Sequence, residues 1–299
     1  MRNLLKVLVG AIGCIAALGL IGPSTQLQAS EPLGPSAEPL ASAEVLHTYG
    51  YPSGHEVVNL IAVNTSKLLP LIPDGYHIVP ATSLGVGGGD QGIVAITSFQ
   101  GADVTVDERE PTKGNLASIS VSILVAKPAE AVQAGLNIPG AFHLYALATH
   151  TDDAQYAASL RSADMPVEFV DKIGYQRTMD DASGVGDLSV SVPSKNSPFK
   201  TFSSSEFGYA PATGALDGVF WYEGGKGKAA LHFRLEPYLN GNALSRIYTE
   251  PKSKWDRLFT DGGLGSCASD PVSGYRCVIA PSLNLRYEEG GHGTLLLIE

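Results

Sequence analysis

Apolar positions in this chain recur chiefly with a period of two, the pattern of strands with one buried side. Residues 116–126 (LASISVSILVA) show it best: Leu116, Ser118, Ser120 and Ser122 face one way, and Ala117, Ile119, Val121, Ile123 and Val125 the other. Small polar residues on one side predict a half-buried or cavity-lining strand. Residues 142–148 (FHLYALA) are apolar on both sides and predict a strand covered on both faces. The period then changes. Thr151 is placed to cap a helix, Asp152 and Asp153 favour its positive end, and Ala154, Ala157 and Ala158 fall on one face with Arg161 after them. Pro166 biases Met165 out of helical angles, so the helix must end near residues 162–164 and feed a second strand.

The same reading places strands at 57–63, 76–81, 92–99, 103–106, 188–192, 219–222, 228–235, 243–248, 283–288 and 294–298. Residues 222–227 (YEGGKG) make a hairpin connection, and short helices are expected at 66–71 and 128–134, the latter stopped by Gly135. The glycine-rich run 85–92 (GVGGGDQG) has neither the Lys-Ser/Thr nor the helix of a phosphate loop and reads as a connecting loop. No fixed-period repeat is visible. The expected class is mainly β (α+β): an antiparallel β-cone or barrel with a central cavity and two or three short helices.

The amino terminus changes the picture of compartment. A basic start, Arg2 to Lys6, precedes an apolar run over 7–21 and a small-residue site at Ala29, which predicts a signal peptide over 1–29. The run is shorter than the ~20 residues of a bilayer span, and no later segment is apolar enough for one. Residues 30–48, rich in Pro, Ser, Ala and Glu, read as a solvated tether, leaving 49–299 as one domain. Cys267 and Cys277 then remain, flanking a Gly/Ser/Asp/Pro loop suited to a disulfide, as expected of a secreted or periplasmic protein. Formal charge is −10, and about −12 once Arg2 and Lys6 leave with the signal. With no Lys/Arg cluster, nucleic acid and anionic membrane surfaces are not expected partners. The scattered histidines lack metal-ligand spacing, no G-x-S-x-G elbow occurs, and no metal or cofactor is expected.

Three segments carry a family resemblance: LLPLIPDGYHIVPAT (68–82), the block 145–173, and FWYEGGKGKAALHF with PKSKWDRLF (220–233 and 251–259). Together they resemble the acetoacetate decarboxylase-like superfamily, over most of 55–298. The resemblance implies a β-cone around a central cavity and raises the expectation of a homo-oligomer. It also exposes a departure. The family's decarboxylases read Pro-Lys-Lys after the helix, one lysine forming a Schiff base with the substrate ketone. Here Val167 and Glu168 follow Pro166. An acidic neighbour would raise, not lower, the pKa of a nearby lysine such as Lys172. The family's catalytic glutamate also lacks a counterpart near residues 115–118.

The resemblance without its lysine implies a divergent member that binds a small carboxylate or ketone in the cavity without Schiff-base decarboxylation. Arg161 is the expected carboxylate clamp, with Glu168, Tyr145 and His143 as further ligand-binding candidates. Glu168 and Lys172 are the catalytic candidates. Two alternatives stay open: a lyase or hydratase acting on an oxo acid through Glu168 and Arg161, and a lipocalin-like carrier whose cavity is wholly apolar.

Overall fold

The computed structural model describes residues 43–111, 114–195, 197–206, 208–212, 214–260 and 262–298. The expected signal peptide and residues 30–42 of the tether lie outside the described residues. Seventeen strands and four α-helices are found among the described residues. The first part of the chain forms β1 (Ala43–Tyr51), β2 (Ser53–Asn64), α1 (Thr65–Leu68), β3 (Gln91–Ala102), β4 (Thr105–Val106), β5 (Asn115–Val125), α2 (Glu130–Gln133) and β6 (Phe142–Thr151). Helix α3 (Ala154–Ser162) follows, then β7 (Val167–Phe169), β8 (Gly174–Arg177), β9 (Gly186–Val192), β10 (Phe199–Ser205) and β11 (Ala210–Pro211). The last part forms β12 (Leu216–Gly224), β13 (Gly227–Leu235), β14 (Leu239–Thr249), α4 (Lys254–Phe259), β15 (Gly265–Cys267), β16 (Arg276–Tyr287) and β17 (Gly291–Ile298).

Hydrogen-bonded pairing runs β4–β1–β17–β13–β12–β6–β5–β3–β2–β16–β14–β10–β9–β8. The sheet is mostly antiparallel but not wholly so, because β6 pairs in parallel with both β12 and β7. Parallel neighbours need a crossover, and here the chain leaves β6 through α3 and the β8–β11 excursion before returning at β12. No pairing joins β4 to β8 among the described residues, and the fold is of the expected mainly β class, carried on one mixed sheet with short helices.

Strand alternation divides the interior into two layers. Val57, Ile61, Val94, Ile96, Ile119, Val121, Ile123, Val219 and Trp221 pack on one side of the sheet. Leu60, Ala62, Ile93, Ala95, Leu116, Leu124, Phe220 and Leu231 pack on the other, with Tyr156 and Leu160 of α3 laid over them. Each fully buried Val, Leu, Ile or Phe among them contributes roughly 1.5–3 kcal/mol.

Local expectations fail where tertiary contacts override local signals. β1 begins at Ala43, so residues 43–48 of the expected tether are strand; eight of its residues pair with β17. Residues 76–81 form only the isolated bridges Ile78–Val125 and Pro80–Gly92, since Pro80 lacks the donor a ladder needs. Asp153, not Thr151, caps α3, its carboxylate accepting from the Tyr156 backbone N–H at 2.7 Å. Thr151 instead donates to the Ala117 carbonyl at 3.0 Å. The packed face of α3 is Tyr156, Ala157, Ser159 and Leu160, while Ala154 and Ala158 are exposed. Cys267 and Cys277 stand opposite each other on β15 and β16 and are joined as a disulfide.

Candidate functional site

The second layer is not filled. Between the sheet and α3 lies a cavity with about 670 Å³ of empty space, part of it open solvent. Its walls are Thr97 and Phe99 from β3, Ser118 and Ser120 from β5, Thr149 from β6, and Phe220, Leu231, Phe233 and Leu235 from β12 and β13. Tyr51, Tyr287, Tyr156, Leu160 and Met165 complete it around one ionisable acid, Glu56. The half-buried lining residues Phe99, Ser120 and Phe233 mark its open side. No lysine or arginine is among the lining residues.

Glu56 arrives here by strand period. On β2 it shares a face with Val58, Leu60 and Ala62, while Val57, Ile61 and Val63 belong to the opposite layer. Its ladder neighbours are Phe99 on β3 and Leu285 on β16. The residue is 6% exposed, and burial alone pushes its carboxyl up from 4.5 to about 7. Among the described residues its carboxyl has no hydrogen bond or ion pair. Its charge acts on phenols in the cavity wall: burial raises Tyr287 and Tyr156, and Glu56 adds to the rise in each. The Tyr51 and Tyr156 hydroxyls stand 3.5 Å apart. A carboxyl balanced near neutrality beside phenols can donate a hydrogen bond, accept one, or hold a full negative charge.

Gly54, two positions before Glu56 on the same face, makes room for the walls. A Cβ there would lie 2.5 Å from the Tyr287 hydroxyl and 2.6 Å from Phe99 Cε2.

None of the five residues singled out in the sequence lines this cavity. Arg161 is exposed on α3, and Lys172 is exposed after β7. Glu168 points away, where its carboxylate accepts from Ser194 Oγ at 2.9 Å and lies 3.4 Å from His150 Nε2. Tyr145 is buried in the first layer against Tyr76 and Tyr222. His143 accepts from Trp221 Nε1 at 3.0 Å, and burial drops it to about 4, with Lys127 adding to the fall. It is therefore a neutral core histidine. At the turn around Pro166, Met165 lines the cavity and Val167 packs against the same layer.

The missed residue had a signal. Reading the period of two back from Ala62, Leu60 and Val58 reaches Glu56, just beyond the expected start of its strand at Val57. The cavity-lining reading of Ser118 and Ser120 agrees with the structure.

A second polar chain has the connectivity of a hydrolase triad. His47 Nδ1 is 2.8 Å from Asp107 Oδ2, and His47 Nε2 is 3.0 Å from Ser162 Oγ. Ser162, however, donates to the Ser159 carbonyl at 2.6 Å and ends α3, where the dipole is negative and would oppose an oxyanion. The chain works as a clasp between β1, the turn after β4 and α3. Among the described residues no cluster of His, Cys, Asp and Glu forms a metal site, and no helix is long and apolar enough to cross a membrane.

No family model and no curated protein matches the chain. Among solved structures, it is similar to the enduracididine biosynthesis enzyme MppR complexed with pyruvate, at 9% identity over 84% of this chain and 87% of that one (TM-score 0.46). It is similar to an acetoacetate decarboxylase-like enzyme from Sphingomonas wittichii RW1, at 11% identity over 83% and 90% (TM-score 0.45). It is also similar to acetoacetate decarboxylase from Legionella pneumophila, at 9% identity over 91% and 97% (TM-score 0.44). The last two carry the name of the superfamily that the sequence segments resemble. At these identities and scores the likeness is one of outline, and no residue role passes from those proteins to this chain.

Proposed function

We propose that this chain is an exported member of the acetoacetate decarboxylase-like superfamily that holds a small, mostly apolar molecule in its central cavity without Schiff-base chemistry. The observation that carries the reading is the lining itself: Glu56 is there, and no lysine is. Schiff-base catalysis needs a desolvated free amine within reach of the substrate carbonyl. The position after Pro166 supplies the Val167 side chain instead, packed on the cavity's own layer. The Cys267–Cys277 bond and the signal-like amino terminus support export.

Of the two expected ligand classes, the carboxylate loses its support, because Arg161 is exposed and no other cation lines the site. A ketone keeps its support, since a protonated Glu56 can donate to a carbonyl. The lyase or hydratase reading rested on Glu168 and Arg161, which do not meet at the cavity. A wholly apolar carrier cavity is at odds with Glu56, Thr97, Ser118 and Thr149 in the wall. Borohydride treatment with acetoacetate, read by intact-protein mass, tests the chemistry: the expected result is no adduct. A covalent adduct on any lysine would overturn it.

A further inference from the structure

An acid stripped of water and given no cation is an unfinished electrostatic arrangement. Taking an ionised carboxylate out of water costs several kcal/mol unless a positive partner repays it. At Glu56 every element packed against the group offers an uncharged side chain. The titratable groups facing it are Tyr156 from α3 and Tyr287 from β16, while Tyr175 of β8 lies across β2 on the His55 side. Its neighbour His55 points away, with Nδ1 2.9 Å from the Tyr175 hydroxyl, and the nearby Arg177 and Arg286 act on that histidine.

The walls have the complementary property. Six rings line the cavity: Tyr51, Phe99, Tyr156, Phe220, Phe233 and Tyr287. Phe220 and Phe233 stack at 5.6 Å, and Phe99 meets Tyr51 edge-on at 5.5 Å. Ring faces attract cations, and the attraction grows when water is excluded.

We infer that the cavity's ligand is a small organic cation, a primary amine in its ammonium form on an apolar body, with Glu56 as its counter-ion. The inference rests on the reading of the cavity as a ligand site and goes further by fixing the ligand's charge. The ammonium completes the charge pair, its N–H groups can also donate to the phenol oxygens, and its hydrocarbon fills the apolar wall. A ketone can use Glu56 only in its protonated form, and a carboxylate is repelled once that proton is lost. Where Glu56 is protonated beforehand, amine binding releases one proton to solvent. Amine affinity therefore rises with pH through about 7 and levels off above it, while the amine, with a pKa of roughly 10, stays charged.

Isothermal titration calorimetry with cyclohexylamine, cyclohexanone and cyclohexanecarboxylate on the disulfide-intact protein tests this. At pH 8 the amine is expected to bind at least about tenfold more tightly than the ketone, and the carboxylate most weakly. Glu56→Gln should weaken the amine by about tenfold or more while ketone binding is retained without pH dependence, and an unchanged circular dichroism spectrum shows that the variant is folded. Lowering the pH from 8 to 6 should weaken the amine by roughly tenfold in wild type and not at all in the variant. Equal or tighter binding of the ketone or carboxylate, or an amine affinity indifferent to Glu56→Gln, overturns the inference and leaves the ligand cavity standing. If none of the three binds, the ligand-site reading falls and takes this inference with it.

Discussion

Glu56 and Phe99 stand directly opposite each other in the β2–β3 ladder, an acid and a ring on the same wall of one cavity. The ring, with Leu285 on the other flank, helps keep water from the carboxyl. That shielding has a consequence for stability as well as binding. The folded protein holds the Glu56 proton up to about pH 7, against 4.5 for the ordinary group, so it binds more protons than the unfolded chain between those values. Glu56 therefore contributes stability that declines as pH rises through that window. Gln does not titrate. The stability of Glu56→Gln relative to wild type should rise from pH 4.5 to 7, by up to about 3 kcal/mol. His55 and His143, both near 4, give the opposite trend below 6.5, but they are common to both proteins and cancel in the difference. Urea denaturation at pH 5 and pH 8 measures it, and an unchanged difference would refute the assignment.

Gly54→Ala is expected to damage the cavity before the fold. The added methyl collides with Tyr287 and Phe99, both wall residues, and the backbone at Gly54 is not left-handed. Overpacking of this kind costs about 1–3 kcal/mol. Ligand binding should fall further than that loss explains, because the rings must move into the empty space. Comparing the melting temperature with the binding isotherm separates the two effects.

Trp221→Phe tests the core partnership with His143. The variant keeps most of the buried ring but removes the donor to His143 Nδ1, leaving an unpaired acceptor in the core. A loss of about 1–3 kcal/mol is expected. In wild type, NMR titration should find His143 still neutral at pH 5.5, with its proton on Nε2. An imidazolium at that pH would contradict the arrangement.

Reduction of Cys267–Cys277 should lower stability by about 3 kcal/mol at most, as the bridge closes a loop of only 10 residues. The bond lies on β15 and the far end of β16 from Tyr287, so cavity binding should survive reduction. Loss of binding with the fold intact would show that the hairpin reaches the site.

What could be read from the residues alone divides along physical lines. Alternation in residues 116–126 announced the wall strand, and Gly224 opposite Gly227 closes the hairpin expected from YEGGKG. These are short-range patterns. The site itself was not legible, because an acid at the start of an apolar strand looks the same whether it faces solvent or a void. Only the arrival of Tyr287, Tyr156 and Phe99 from distant segments decides that Glu56 is buried. Glu168 stands out in the sequence by its place after Pro166. One step of pleat separates that position from Val167 and puts it on the other side, beside Ser194.

The lone acid of β2 also bears on how the sheet assembles. Sliding β2 by a single residue against its neighbours would exchange Glu56 for Val57 and drive the carboxyl into the apolar layer that holds Ile96 and Ile119. A misaligned sheet would carry that penalty at once, so the group that readies the hollow for a guest also proofreads the alignment of the strands around it.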